Sequence, residues 1–155
     1  MPSTQAKRKL IKSVLIVIAV VVGVAALLWQ MNNQHQVLQL HGNTYHMTVL
    51  RTPDELTRGL SGSSSLGQDQ AMLFVFPQDD EWAMWMKDMN YPIDMVWLDS
   101  NREVVYLVKD AQPSSYPKTQ FKPDEKARYV IELASGTIER TGIAIGDPAG
   151  LPSGI

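Results

Sequence analysis

The sequence predicts a mostly β domain, that is, a β-rich α+β fold: a compact curled antiparallel sheet or small barrel with two short helices, preceded by an N-terminal transmembrane helix. Three observations carry this prediction. One uncharged apolar run stands near the start of the 155-residue chain. Short apolar segments bounded by turn residues fill most of the remainder, and only two places show the chemistry of a helix start. Many short strands with few helices are typical of a sheet that curls on itself.

The uncharged apolar run covers residues 13–29, and we assign residues 13–31 as a transmembrane signal-anchor. At about 1.5 Å per residue, a helix over residues 13–29 would span roughly 26 Å, a little less than the ~30 Å hydrocarbon core of a bilayer. Residues 1–12 carry four basic side chains and no acidic one. This bias predicts a single-pass protein of the cytoplasmic membrane with its N-terminus inside and its C-terminal domain outside.

A cleaved signal peptide, which would release a secreted protein, is the alternative to an anchor. Gly23-Val-Ala25 fits a cleavage site loosely, but the run is longer than the usual apolar core of about 7–15 residues in a signal peptide. We therefore favour an anchor. Residues 32–36 are then predicted to be a linker, residues 37–147 one β-rich domain and residues 148–155 a loose tail.

The first half of the domain is expected to hold four strands and one helix. His41-Gly-Asn43 has the composition of a hairpin turn. Thr52, Pro53 and Glu55 form a capping box with proline at the first helical position, and Gly59 is a natural stop. The helix should therefore be short. The predicted strands are Val37–Leu40, Thr44–Leu50, Met72–Phe76 and Ala83–Lys87.

The second half is expected to hold a hairpin, a long loop and a second short helix. Asp99-Ser-Asn101 is the hairpin turn, and residues 110–124 contain three prolines without clear periodicity, which predicts a loop. Ser135 is a candidate N-cap for a helical turn that ends at Arg140. The predicted strands are Ile93–Leu98, Glu103–Val108, Ala127–Leu133 and a final short Ile143–Ile145.

Charge and cysteine content exclude some classes of protein. The net charge is −2, and because residues 1–12 hold +4, the rest of the chain holds −6. A mildly acidic body argues against a nucleic-acid partner, since phosphates require a basic surface. The chain has no cysteine, so neither disulfides nor thiolate metal sites can form.

A series of short motifs runs through the domain in a characteristic order. They are Thr52–Leu60, Met72–Pro77, Trp85–Lys87, Pro92–Asp94, Leu98–Asp99, Arg128–Leu133, Gly136–Thr137 and Gly146–Asp147. In these motifs and their spacing the chain resembles uncharacterised protein family 127, also called domain of unknown function 192, from prokaryotes. The resemblance implies a compact β-rich fold, often membrane-attached or secreted. No activity is established for the family, so the resemblance implies no catalytic residue.

Lys87 and Asp94 stand inside apolar runs, where an unpaired charge is costly. If the chain reverses between them, the two predicted strands can pair and bring the two side chains together. The pair would then be either part of a binding cleft or a partly buried salt bridge that sets strand register, and we favour the second because buried ion pairs more often report specificity than activity. Arg58 joins this cluster on resemblance alone.

Aromatic side chains are dense between residues 82 and 116. On an exposed face they could bind sugar rings or a peptide as rigid anchors, whereas ordinary core packing is the interpretation we favour overall and certainly for Trp97. Trp82 follows an acidic loop, so it is the best candidate for exposure. Trp85 shares a strand face with Lys87.

Motifs for nucleophilic, metal-dependent or cofactor chemistry are missing. Gly59–Ser63 does not match Gly-x-Ser-x-Gly, and His41 and His46 alone do not supply the three protein ligands of a hydrolytic zinc site. We predict no catalytic residue, no metal site and no cofactor. Carboxylates remain the one route to catalysis, although Asp94 and Asp99 lie on opposite faces of an extended run.

The sequence therefore favours a non-enzymatic binding or interaction module of the cell envelope. Its partners would be the lipid bilayer, through residues 13–31, and an envelope glycan, peptide or protein. The alternatives are an envelope hydrolase that acts on glycans or peptides through carboxylates, and a structural partner subunit of a membrane complex. The candidate ligand-binding residues are Arg58, Trp82, Trp85, Lys87 and Asp94.

Overall fold

A computed structural model describes residues 15–25 and 36–155. The chain divides into two compact units, Met1–His35 and Gln36–Ile155. In the first unit, residues 15–25 form helix α1, and its side chains are exposed. None of the helices in the described ranges combines the length and apolar character that a membrane crossing requires. The predicted basic N-terminus, both ends of the predicted span and most of the linker lie outside the described residues, so the anchor stays a prediction.

The second unit is built on one curled, seven-stranded sheet in the order β5-β4-β6-β3-β2-β1-β7. All neighbouring strands are antiparallel except β2 and β3, which are parallel. The mostly β prediction is therefore confirmed, with one parallel pair that the sequence did not indicate. The strands are β1 (Val37–Leu40), β2 (Asn43–Leu50), β3 (Gln70–Asp80), β4 (Ile93–Leu98), β5 (Val104–Ala111), β6 (Ala127–Ala134) and β7 (Ala149–Gly150).

Helix α2 (Pro53–Arg58) lies in the crossover between the parallel strands β2 and β3. Its predicted capping box is present: the Thr52 side chain accepts a hydrogen bond from the backbone N–H of Glu55, and the Glu55 carboxylate accepts one from the backbone N–H of Thr52. The backbone hydrogen bonds from Thr52 and Arg51 lower the pKa of the Glu55 carboxyl. Because the cap and Gly59 close both ends, the helix is confined to six residues.

Both faces of the sheet are covered by apolar side chains, because neighbouring residues on a strand point to opposite faces. One cluster includes Leu73, Val96 and Leu133. The other includes Phe74 and Trp97. Trp97 is fully buried, as the sequence predicted, and its indole N–H donates to the backbone carbonyl of Trp82 at 2.8 Å. The strands β3, β4 and β6 thus form the centre of a double-sided core.

The predicted strand Ala83–Lys87 does not form. Only Met84 makes a β-bridge there, with Phe121. The reason lies in strand order, since β4 is hydrogen-bonded on one edge to β5 and on the other to β6. No edge of β4 is left for the residues before it, so they run as an irregular segment across the domain.

The C-terminal elements also differ from the sequence prediction. Residues 143–145 form no strand; β7 pairs with β1 instead. Leu151 is buried, and the Arg102 guanidinium donates to the carbonyl oxygens of Leu151 and Ile155. Residues 148–155 therefore pack on the domain and do not form the predicted loose tail. These contacts join residues far apart in the sequence, and local patterns contain no signal for them.

The second short helix, α3 (Thr137–Thr141), begins later than predicted. Its N-cap is Gly136, in a left-handed conformation with no side-chain cap. The hydroxyl of Ser135, the predicted cap, donates instead to Asp110 Oδ1 at 2.6 Å. The helix start is satisfied by a different carboxylate, that of Asp94 on strand β4, which accepts from the backbone N–H groups of Gly136 and Ile138.

Candidate functional site

An apolar groove with a volume of about 420 Å³ opens beside the second core cluster. One wall is α2 with the turn after it, a second is the end of β3, and a third is the irregular segment of residues 82–89. The volume falls in the range of small-molecule sites, about 300–1,000 Å³. The lining residues are Pro53, Leu56, Thr57, Arg58, Gly59, Leu60, Ser61, Phe74, Phe76, Pro77, Trp82, Ala83, Met84, Trp85, Met89 and Glu132.

Gly59 lets the backbone after α2 approach the floor of the groove. Its φ is +48°, a conformation that disfavours any side chain. A Cβ at this position would lie 2.9 Å from Cζ of Phe74, inside van der Waals contact. The Phe74 ring and the α2 turn are thus in direct contact only because residue 59 has no side chain.

Trp82 forms a rigid part of the wall. Its ring stacks on Phe76 with centroids 4.2 Å apart and planes 8° from parallel. Its indole N–H donates to the backbone carbonyl of Gln78, and its own carbonyl accepts from Trp97. Both ends of the residue are therefore held by hydrogen bonds, and the wall is formed before any ligand arrives.

The segment after Trp82 alternates between core and surface even though it is not a strand. Met84 and Met86 are buried, whereas Trp85 is 38 % exposed and Lys87 is exposed. The Ser61 hydroxyl donates to the carbonyl of Lys87 at 2.8 Å, which ties the segment to the turn after α2. Trp85 consequently stands at the open side of the groove.

Glu132 lines the groove from β6. It is only 4 % exposed, and it stands in register between Met72 of β3 and Met95 of β4. Its Oε2 has no hydrogen-bond partner among the described residues. Burial raises the pKa of Glu132 to about 8, because an apolar environment disfavours the charged form. At neutral pH the group therefore holds its proton.

Three of the five sequence-predicted binding residues meet in this groove. Arg58 comes from the last turn of α2, Trp82 and Trp85 from the irregular segment. Resemblance alone suggested Arg58, and aromatic density suggested the two tryptophans. The structure brings these three side chains to one cavity.

The predicted contact between Lys87 and Asp94 is wrong. No ion pair joins them in the described part of the chain. Asp94 is fully buried on β4 and accepts hydrogen bonds from the backbone N–H groups of Asp110, Gly136 and Ile138. Its carboxylate is satisfied by β5 and the start of α3, while Lys87 lies on a segment that does not pair with β4.

Glu132 is the groove residue that the sequence reasoning missed, although a signal is present. It stands in the run Tyr129-Val-Ile-Glu-Leu-Ala134, where no other residue is charged. An acid in the middle of an apolar strand must be paired, protonated or functional. Like Lys87 and Asp94, Glu132 is an ionisable residue inside an apolar run.

The described histidines, His41 and His46, are not among the residues that line the groove. His41 Nδ1 is 2.7 Å from Asp147 Oδ2. The two residues lie next to β1 and β7, at the opposite end of the strand order from β5 and β4. Backbone hydrogen bonding from Ala144 and the contact with His41 lower the pKa of Asp147. Throughout residues 15–25 and 36–155, no group of three or more His, Asp or Glu side chains is arranged to hold a metal ion.

Comparison with known families gives one match to most of the chain. A model for domain of unknown function 192, described as "Uncharacterized ACR", matches residues 36–150. A "UPF0127 protein" from Thermococcus sibiricus is 35% identical over 79 residues, which are 50% of this chain and 48% of that protein. The aligned part thus spans about half the length of that relative.

The solved structures that resemble this one include the following two. A protein of unknown function from Novosphingobium aromaticivorans superimposes with a TM-score of 0.69 and 24% identity, over 74% of this chain and 83% of the other. A proposed transcription regulator from Sinorhizobium meliloti superimposes with a TM-score of 0.68 and 27% identity, over 74% and 91%. The likeness to the first of these concerns the fold alone.

Proposed function

The chain belongs to the family of domain of unknown function 192, and from that premise we propose that its domain is a non-enzymatic binding module whose ligand site is the groove lined by Glu132. The observation that carries the proposal is a buried carboxyl oxygen without a partner among the described residues, in a mostly apolar cavity. Such a group costs free energy in the empty protein. A ligand that supplies a partner recovers that cost.

The walls of the groove support binding because they are held in place by the fold. Trp82 is fixed by stacking and hydrogen bonds, and Gly59 fixes the distance between α2 and Phe74. A site that is formed in advance loses little entropy on binding. The exposed Trp85 supplies an amphipathic anchor at the opening.

A hydrolase of glycans or peptides is the second candidate, and Glu132 is the observation that favours it. A carboxyl that keeps its proton at neutral pH meets the first requirement of a general acid. Glycoside hydrolysis also needs a second carboxyl group, and Glu132 is the single acid among the described residues that line the groove. Asp94 is occupied by backbone N–H groups, so binding remains the better proposal.

We propose further that the domain lies outside the cytoplasmic membrane, held by residues 13–31. This location is supported by the uncharged run, by the four basic residues before it and by the exposed apolar side chains of α1. Secretion after cleavage is the alternative. Protease digestion of intact spheroplasts tests the topology: protease added outside should digest the domain while the spheroplasts remain intact.

Ligand binding is tested by a thermal-shift screen of the full-length protein in detergent against small apolar molecules, glycan fragments and short peptides. A ligand at one hundred times its dissociation constant should stabilise the fold by about 2.7 kcal/mol, which raises Tm by several degrees. Trp85→Ala should abolish the shift. The matched control is Tyr116→Ala, because Tyr116 is similarly exposed at 42 % and is not part of the groove.

A shift that survives in Trp85→Ala but is lost in Tyr116→Ala would contradict the groove as the site. Product formation from any glycan or peptide, abolished by Glu132→Gln, would replace the binding proposal with the hydrolase. Binding without turnover, sensitive to Trp85→Ala, is the expected result.

A further inference from the structure

Resting on the proposed groove, we infer that its ligand carries a protonated amine attached to an apolar body, and that the ammonium group pairs with the Glu132 carboxylate while the apolar part lies against the aromatic wall. Glycans and neutral peptides would then be poor ligands. The occupant is an amine, either free or as the amino group of an apolar peptide.

The unsatisfied Oε2 of Glu132 supplies the acceptor. This oxygen is buried and has no hydrogen-bond partner in the described part of the molecule. If the Glu132 carboxyl turns toward the groove that the residue lines, a ligand N–H can use the lone pairs of Oε2 without displacing another protein group. A charge-assisted hydrogen bond of this kind is about twice as strong as a neutral one.

The aromatic rings supply the second half of a cation site. Phe76 and Trp82 are stacked at one wall, and Trp85 stands at the opening. The face of an aromatic ring attracts a cation within about 6 Å, and tryptophan does so most strongly. The same ring faces repel an anion. The aromatic walls and the Glu132 carboxylate therefore both favour a positively charged ligand.

The charges around Glu132 are consistent with this selection. Its neighbours in register, Met72 and Met95, are uncharged, and Arg58 is the single cationic group among the described lining residues. Arg58 is exposed on α2 and forms no ion pair with Glu132. Outside residues 1–12 the chain carries a net charge of −6, which attracts cations at long range.

A ligand with a hydrogen-bond acceptor, such as a carbonyl, could also bind a protonated Glu132. Binding of an ammonium ligand and binding of an acceptor ligand differ in the number of protons that are released. When an ammonium ligand binds, the carboxylic acid loses its proton to solvent and the carboxylate accepts the ligand N–H. With a pKa of about 8 for Glu132, most of one proton should be released per ligand bound at pH 7. A carbonyl ligand binds the acid as it stands and releases none.

The test compares 2-phenylethylamine with its isostere 2-phenylethanol, by calorimetry on the full-length protein in detergent at pH 7. The amine should bind at least about tenfold more tightly, because its charge is retained and paired. Titrations in two buffers of different ionisation enthalpy should report this proton release. The amine's affinity should rise by at least about tenfold between pH 6 and pH 8, as Glu132 ionises.

Glu132→Gln is the decisive variant, and Glu139→Gln, which changes an exposed acid on α3, is its matched control. Glu132→Gln should remove the preference for the amine, the proton release and the pH dependence. Glu139→Gln should change none of these. Partition of the probes into detergent is the same for all three proteins.

The outcomes separate this inference from the proposed function. If amine and alcohol bind with equal affinity, and Trp85→Ala abolishes the binding of both, the inference of an amine ligand is wrong while the groove remains the binding site. Tighter binding of the alcohol, weakening above pH 8, overturns the amine in favour of an acceptor ligand. Failure of both probes to bind overturns the amine inference, while a groove-dependent shift with another molecule in the thermal screen would still uphold the binding module.

Discussion

Two buried carboxyl groups lie on the neighbouring strands β4 and β6, and they have opposite surroundings. Asp94 and Glu132 differ by one position in strand register and therefore point to opposite faces of the sheet. Asp94 accepts three backbone hydrogen bonds, whereas Glu132 has a carboxyl oxygen that no described residue contacts through a hydrogen bond. The first joins β4 to β5 and α3, and the second lines a groove.

This difference separates a structural acid from a candidate functional one. Burial makes either group costly, but Asp94 is compensated by the backbone within the folded chain and Glu132 is not. Compensation inside the protein is what stability requires. A cost that persists in the folded protein is typical of a site that is completed by something else. Four experiments test the roles of the two acids and of the groove.

The largest effect is expected from Asp94→Ala. The substitution leaves the buried N–H groups of Asp110, Gly136 and Ile138 without their acceptor, so the free energy of unfolding should fall by about 4–6 kcal/mol. Urea unfolding measures it. Asp99→Ala, in the exposed turn before β5, is the control and should cost about 1 kcal/mol. A loss below about 2 kcal/mol for Asp94→Ala would show that Asp94 does not hold the strands together.

The second effect concerns pH. The pKa of Glu132 is about 8 in the folded protein, against an ordinary value of 4.5, so the folded state binds more protons between these values. Stability should therefore fall as pH rises through this window and level off above pH 8. Between pH 5 and pH 7.5 the loss is about 3 kcal/mol.

Glu132→Gln should abolish this loss, because the amide does not ionise. Urea unfolding of the wild type, Glu132→Gln and Glu139→Gln at the two pH values isolates the contribution of Glu132. If the wild type and Glu132→Gln show the same pH dependence, the carboxyl is ionised or paired in the folded protein, and the contrast with Asp94 disappears.

A smaller effect is expected from Gly59→Ala, at the edge of the groove. The added Cβ would lie 2.9 Å from the Phe74 ring and would also require a strained φ, so the loss should be about 2–3 kcal/mol. Gly62→Ala is the matched control. Gly62 also has a positive φ, but no atom lies within 4 Å of the position that a Cβ would take there, and the substitution should cost about 1 kcal/mol. Equal losses would mean that contact with Phe74 does not shape the groove.

The smallest change in stability is expected from Trp85→Ala. Since Trp85 is exposed at the opening, its removal should cost less than about 1 kcal/mol, while Trp97→Ala, in the core, should cost about 3–5 kcal/mol. Thermal unfolding measures both. A large loss for Trp85→Ala would identify the side chain as part of the core and not as a binding anchor.

Most elements of the fold could be predicted because their causes are local. The capping box at Thr52 and Glu55, the hairpin of β1 and β2, and strand β4 all depend on neighbours within a few residues. The family resemblance is confirmed by the match over residues 36–150. The strand predicted for Ala83–Lys87 failed because its alternation is real but the edge of β4 that it would need is occupied by β6.

The site could be predicted only in part, because some of its contacts join residues that are far apart in the sequence. Composition and resemblance select Trp82, Trp85 and Arg58, and these three do meet. Two of the three backbone partners of Asp94, Gly136 and Ile138, lie 42 and 44 residues further along the chain, and no short-range pattern connects them to it. Local sequence patterns could only suggest that Asp94 pairs with a nearby charged residue, Lys87.

Local sequence patterns were enough to predict strands β1 to β6, the two short helices, the apolar N-terminal run and the family. Periodicity, caps and turns act over a few residues, so they can be read along the chain. The tertiary structure alone decided the order of the strands, the parallel pair β2–β3 and the opposite environments of Asp94 and Glu132. Both acids stand in apolar strands, and only the packing of distant backbone against one of them distinguishes a satisfied charge from an open site.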